Sequence, residues 1–156
     1  MRISAAATAG RPCLPRVLGS GCDERSLVVL TADRERLHLR LCPFAGRCGE
    51  LPLPPAIAAA PPSGVDVAKL KGTVVLSSAQ DGVVRVVSSR DEGRSFTPAV
   101  VAFDAVEYPE LGLSRRAPSR LLALGERLLL FGGSVKGNDT YPVLASDDQG
   151  VSFRTP

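Results

Sequence analysis

Residues 89–96 read Ser-Arg-Asp-Glu-Gly-Arg-Ser-Phe, and residues 146–153 read Ser-Asp-Asp-Gln-Gly-Val-Ser-Phe. Both octapeptides fit the pattern Ser-x-Asp-x-Gly-x-Ser-Phe, and each follows a short apolar run, at residues 83–87 and 141–145. Two copies of one pattern indicate an internal repeat, and a repeat determines how the rest of a chain is interpreted. The two octapeptides are therefore the starting point for predicting the fold.

A third, degenerate copy precedes them at residues 42–49, where Gly46 is kept and Cys42 and Cys48 stand at the two serine positions. The copies begin at positions 42, 89 and 146, so their spacings are 47 and 57 residues. Periods of this size are typical of propeller blades, each a small sheet of about four strands. The longer spacing arises mainly in the polar loop 132–140, where a blade can absorb an insertion.

Apolar runs bounded by turn residues predict the strands of these repeats. Asp81-Gly82 is a hairpin signal, and Gly125-Glu126 favours two strands over a helix in the Leu-rich run 121–131. Five prolines in residues 51–64 exclude a central strand or a helix interior, so this segment and residues 107–118 are predicted to connect blades. The predicted strands cover residues 27–32, 36–41, 73–79, 82–88, 97–103, 120–124, 127–132 and 141–146.

The predicted fold is all-β, a partial β-propeller of about three blades with four-stranded antiparallel sheets and an incomplete last blade. The blades are placed at residues 26–52, 66–104 and 119–156, after a poorly ordered N-terminal segment at 1–25. Blades bury their faces against neighbours, so three of them would leave open faces. We therefore expect a portion of a longer propeller of six or more blades, or closure by self-association.

The chemistry of the octapeptide is that of a tight turn. A carboxylate at the third position (Asp91, Asp148) can accept backbone N–H groups that lack ladder partners, and the first serine (Ser89, Ser146) can add a hydroxyl bond. Glycine at the fifth position supplies a positive φ at little cost, and phenylalanine at the eighth restarts a strand with its ring in the core. Each of these roles is structural. The glycines are Gly93 and Gly150, and the phenylalanines are Phe96 and Phe153.

The pattern resembles the Asp box, or BNR repeat, of the sialidase-like β-propeller superfamily. The resemblance implies a sialidase-like propeller and, in its enzymes, an arginine triad, an acid/base Asp and a Tyr–Glu pair. Arg116, in Arg-Ala-Pro ahead of a predicted strand, and Asp139, in the loop before the second box, are the weak catalytic candidates. A surface role for Arg116 is the alternative, and neither Tyr108 nor Tyr141 has a partner of the expected kind.

The function that follows is a non-catalytic segment, a structural or binding module with Asp-box turns. The first alternative is a fragment of an exo-α-sialidase or related glycoside hydrolase. The second is a truncated gene product without independent function. Carbohydrate or protein is the expected partner, with self-association possible.

Composition excludes several other classes. The net charge is +3, and the basic residues are scattered without a stripe of stacking aromatics, which argues against nucleic-acid binding. No apolar run reaches the roughly 20 residues of a membrane helix. His38 is the only histidine and the cysteines form no CxxC pair, so we expect no metal and no cofactor.

The number of cysteines gives an indication of the cellular compartment in which the protein folds. Cys13, Cys22, Cys42 and Cys48 are even in number, which allows two disulfides in an exported protein or four buried thiols otherwise. In the degenerate box, a Cys42–Cys48 bridge could replace the lost Asp-box hydrogen bonds. The alternative is two unpaired cysteines. An extracytoplasmic location is favoured by the resemblance and the cysteine count, although residues 1–10 lack the apolar core of a signal peptide.

Overall fold

The structure is a computed structural model, and it describes residues 15–34, 36–104, 119–132 and 143–155. The described residues form three antiparallel sheets in chain order, each built by neighbouring strands. Sheet 1 holds β1 (Arg16–Cys22), β2 (Ser26–Asp33), β3 (Arg36–Pro43) and β4 (Gly49–Leu51). Sheet 2 holds β5 (Val65–Leu70), β6 (Thr73–Gln80), β7 (Val83–Ser89) and β8 (Val100–Asp104). Sheet 3 holds β9 (Arg120–Leu124), β10 (Arg127–Phe131) and β11 (Val143–Ser146).

The all-β prediction is confirmed, including the two strands in the Leu-rich run. There β9 and β10 pair from Leu124 with Arg127 to Arg120 with Phe131. The Asp81-Gly82 turn joins β6 to β7 with positive φ values of 52° and 86°, the backbone that a two-residue hairpin requires. In sheet 3 the place of a fourth strand is taken by a single bridge between Ala145 and Arg154.

Three predicted features need correction. The segment expected to be poorly ordered, residues 1–25, contains β1, which pairs along β2 from Cys22 to Arg16, whereas residues 1–14 of that segment lie outside the described residues. The strand expected at 97–103 is the shorter β8, since Pro98 has no N–H to donate to a ladder. The proline-rich connection contains a short helix, α1 (Pro55–Ala58), in which proline occupies only the first turn, where no N–H bond is lost.

Sheet 2 lies between the other two sheets and buries both of its faces. One apolar cluster joins it to sheet 1 and contains Val28, Leu30, Val67 and Leu76. A second cluster joins it to sheet 3 through Val75, Val86, Leu128 and Leu130, among others. This explains why the first six residues of β6 are all buried, whereas β2 alternates between buried and partly exposed residues.

Two glycines in β1 allow sheet 1 to approach sheet 2 closely. A Cβ atom on Gly21 would lie 2.4 Å from the backbone nitrogen of Lys69 and 2.9 Å from the carbonyl carbon of Ala68. A Cβ on Gly19 would lie 2.1 Å from the carboxylate of Asp66. The backbones of β1 and β5 are thus in contact, with no space for a side chain at these positions.

Candidate functional site: two repeated serine–aspartate turns

The two octapeptides occupy the same place in successive sheets. Turn 89–96 follows β7, the third strand of sheet 2, and leads to β8. Turn 146–153 follows β11, the third strand of sheet 3, and leads to the bridge of Arg154 with Ala145. The sequence repeat is therefore also a repeat in three dimensions.

In turn 89–96, the side chains of Ser89 and Asp91 form hydrogen bonds with each other and with the residues that follow them in the turn. Ser89 Oγ donates to Asp91 Oδ1 at 2.7 Å and accepts the N–H of Gly93 at 2.7 Å. Asp91 Oδ1 also accepts the N–H of Ser95 at 2.9 Å, and Oδ2 accepts the Ser95 hydroxyl at 2.6 Å. Both carboxylate oxygens are thus engaged within the turn.

Turn 146–153 repeats this network. Ser146 Oγ donates to Asp148 Oδ1 at 2.7 Å and accepts the N–H of Gly150 at 2.8 Å. Asp148 Oδ1 accepts the N–H groups of Val151 and Ser152 at 3.1 and 2.9 Å, and Oδ2 accepts the Ser152 hydroxyl. The two turns therefore share the same three side chains in the same roles.

The glycine of each turn is required by both backbone and packing. Gly93 and Gly150 have φ of 88° and 86°, in the region that other residues rarely adopt. A Cβ on Gly93 would lie 2.4 Å from Leu51 of sheet 1, and one on Gly150 would lie 3.1 Å from Val75 of sheet 2. Each turn thus packs against the preceding sheet. Phe96 and Phe153, both partly buried, join the first and second apolar clusters respectively.

The carboxyls of the turns are held ionised. Hydrogen bonds from the hydroxyls of Ser95 and Ser89 and from the Ser95 N–H lower the pKa of Asp91 well below its usual range. For Asp148, burial raises the pKa, but the hydrogen bonds from Ser152, Ser146 and Val151 outweigh it and lower it to about 2. Neither group holds a proton near neutral pH, so neither is suited to act as a general acid there.

Replacing the first serine of either turn tests the network. Ser89→Ala and Ser146→Ala should each lower the free energy of unfolding by about 1–3 kcal/mol, because a buried glycine N–H loses its acceptor. Chemical denaturation of the purified variants measures this. Ser63→Ala, at an exposed position outside the turns, is the control and should stay within about 0.5 kcal/mol of the parent. Equal stability of Ser89→Ala and the control would rule out the bonding role.

The degenerate third copy is closed by a covalent bond. Cys42 and Cys48 form a disulfide with Cα atoms 4.0 Å apart, which is one of the two arrangements considered from the sequence. Cys22 is a free, exposed thiol, so the alternative of four buried thiols is wrong. Cys13 lies outside the described residues.

The catalytic candidates Arg116 and Asp139 also lie outside the described residues, as do Tyr108 and Tyr141. Within the described part of the chain, no group of three or more His, Cys, Asp or Glu side chains is placed to hold a metal ion. No helix in that part is long and apolar enough to cross a membrane.

Sequence patterns missed a set of charged side chains between the sheets. Lys69 Nζ in β5 lies 2.8 Å from Oδ2 of Asp23 in the turn between β1 and β2, and the Lys69 side chain is wholly buried. Asp66, two positions into β5, accepts the N–H of its neighbour Val67 and that of Leu121 in sheet 3, each at 2.9 Å. Burial raises the pKa of Asp66 despite these bonds. The signal that was available is the presence of two charges in the otherwise apolar β5.

Three antiparallel sheets of three or four strands, packed face to face with almost no helix, have the architecture of part of a sialidase-like β-propeller. Among the solved structures that resemble the chain is a mutant of NanB sialidase from Streptococcus pneumoniae, with a TM-score of 0.54 and 13% sequence identity. The match covers 84% of this chain and 21% of the NanB chain, so this chain spans about a fifth of its length. At this identity the likeness concerns the fold. No protein-family model and no curated protein matches the sequence.

Proposed function

We propose that this chain is a non-catalytic segment of a sialidase-like propeller, and that turns 89–96 and 146–153 are Asp boxes. The observation that carries the Asp-box assignment is the hydrogen-bond network repeated in both turns. The carboxylate oxygens of Asp91 and Asp148 accept hydrogen bonds from hydroxyl and N–H groups of their own turns. Such carboxylates stabilise a hairpin, and their lowered pKa values leave them without a proton for general-acid catalysis near neutral pH.

The module is proposed to act as a rigid structural or binding unit, with carbohydrate or protein as its partner. Rigidity is supported by the packing of each turn glycine against the preceding sheet. We also infer export to an oxidising compartment, which the Cys42–Cys48 disulfide supports. Recovery of Cys42 and Cys48 as free thiols from native cells would contradict that inference.

A fluorogenic sialoside assay tests the non-catalytic role. The purified protein is expected to release no fluorophore above a buffer blank, because neither of its two tyrosines, Tyr108 and Tyr141, has the glutamate partner that the sialidase resemblance implies. Turnover that disappears in Arg116→Ala would overturn the proposal and make Arg116 a site residue. Turnover that is unaffected by Arg116→Ala would indicate a contaminating enzyme, and further purification should then remove it.

A further inference from the structure

A cleft of about 480 Å³ lies where the first hairpins of the three sheets converge. We call it the hairpin cleft. It is separate from both serine–aspartate turns. Sheet 1 contributes the hairpin after β1, sheet 2 the hairpin after β5, and sheet 3 the hairpin after β9. Its lining includes Cys22, Asp23, Glu24, Arg25, Lys69 and Lys71. A concave site of this size between several elements can accommodate a small ligand.

The buried ammonium of Lys69 in the cleft wall is incompletely bonded. An ammonium has three N–H donors. Lys69 Nζ faces Asp23 Oδ2 at 2.8 Å, and no other acceptor among the described residues serves it. A buried donor without an acceptor destabilises the folded state. The buried ammonium therefore keeps N–H donors for which the described residues offer no acceptor.

Asp23 cannot meet that demand, because the backbone already uses its oxygens. Its Oδ1 accepts the N–H groups of Arg25 and Ser26 at 2.9 and 3.0 Å, and its Oδ2 accepts that of Gly72 at 3.1 Å. The single negative charge is therefore shared among three backbone donors and one ammonium. Apart from the Lys69–Asp23 pair, the lining of the cleft carries two positive charges, on the exposed side chains of Arg25 and Lys71, and one negative charge, on Glu24.

We propose that the hairpin cleft binds a small oxyanion, a phosphate or carboxylate group of a ligand. Lys69 contributes a buried positive charge to the lining of the cleft, and the exposed side chains of Lys71 and Arg25 contribute two more. Charge-assisted hydrogen bonds from ammonium and guanidinium groups to such an anion are among the stronger polar contacts in proteins. The site is independent of the proposed propeller function, since none of its residues belongs to the serine–aspartate turns.

The free thiol of Cys22 in the cleft wall reports on occupancy. In a Cys13→Ser background, Cys22 is alkylated with neutral iodoacetamide while inorganic phosphate or acetate is titrated at constant ionic strength set with sodium chloride. A bound anion should slow alkylation saturably, by roughly tenfold at ten times Kd if it fully shields the thiol, and it should raise Tm. Saturation by phosphate alone or by acetate alone would assign the anion class.

Three substitutions connect the effect to the cleft. Lys71→Ala and Arg25→Ala should each weaken the protection severalfold, and Lys69→Met should abolish it. Arg36→Ala, at an exposed position away from the cleft, should leave it unchanged. Circular dichroism checks that Lys69→Met is folded, and the Lys71→Ala and Arg25→Ala variants carry the test if it is not. The proposal is overturned if neither anion changes the rate or Tm beyond sodium chloride, or if all four variants respond like the parent.

Discussion

Asp23→Ala is expected to lower the free energy of unfolding by about 3–5 kcal/mol, because it leaves the buried Lys69 ammonium without its counterion. The same change removes the acceptor of three backbone N–H groups, one of which, that of Gly72, belongs to the neighbouring sheet. Urea unfolding followed by circular dichroism measures the loss. The effect should be among the largest of any single substitution in the chain.

Two companion variants separate the ion pair from general damage. Asp147→Ala removes an exposed partner of Arg127 and Arg154 and should be nearly neutral, as surface pairs usually are. Asp23→Ala combined with Lys69→Met removes both charges and should recover part of the lost stability. A double variant no more stable than Asp23→Ala would show that the backbone bonds of Asp23 outweigh its pairing with Lys69.

The contribution of Asp23 to the free energy of unfolding should depend on pH in the acid range. Burial raises the pKa of Asp23, but hydrogen bonds from Lys69 and from the N–H groups of Arg25, Gly72 and Ser26 outweigh it and hold the pKa well below its usual range. Its stabilisation is therefore present above the unfolded-state pKa of about 3.9 and is lost as the pH falls towards the folded-state value. Below pH 4 the difference in stability between the parent and Asp23→Ala should shrink.

Gly21→Ala is the second substitution with a large expected effect. Its Cβ would meet the backbone of Lys69 and Ala68 at distances that real carbon atoms do not adopt, and backbone cannot rotate away. Sheets 1 and 2 would have to separate and weaken the apolar cluster between them, at a cost of about 3 kcal/mol, the upper part of the range for overpacking.

Gly49→Ala is the matched control for Gly21→Ala. A Cβ at Gly49 in β4 meets no atom within 4 Å, and its backbone is not in the left-handed region. Alanine there should be neutral or slightly stabilising, since it reduces the freedom of the unfolded chain. Thermal unfolding of both variants gives the comparison. Similar melting temperatures for the two would mean that β1 and β5 can move apart at little cost.

The sequence predicted the strands whose pattern is local. Turn residues bound β6, β7, β9 and β10, and the repeated octapeptide places two further hairpins in equivalent positions. It failed for the three-residue β4 and for the longer strands β1 and β5. Two glycines weaken the strand signal of β1, and Asp66 and Lys69 interrupt that of β5. Both strands are stabilised by the contact between sheets, which no local pattern records.

The functional residues likewise fall into a local set that the sequence could predict and a long-range set that it could not. Serine, aspartate and glycine within one octapeptide interact over two to four residues, so their roles could be inferred from spacing. The pairing of Lys69 with Asp23 joins distant parts of the chain and arises only when sheets 1 and 2 stack. The hairpin cleft likewise requires three hairpins to meet, and a composition that is only slightly basic gives no indication of it.

The burial of both faces of sheet 2 has a consequence for local opening. Sheets 1 and 3 each rest on sheet 2 through one apolar cluster, whereas sheet 2 is held by two. Either outer sheet can detach at the expense of one cluster, but exposing the strands of sheet 2 on both faces disrupts both. Amide hydrogens of β6 and β7 should therefore exchange with solvent only through global unfolding, and those of β2 and β10 through smaller, independent fluctuations.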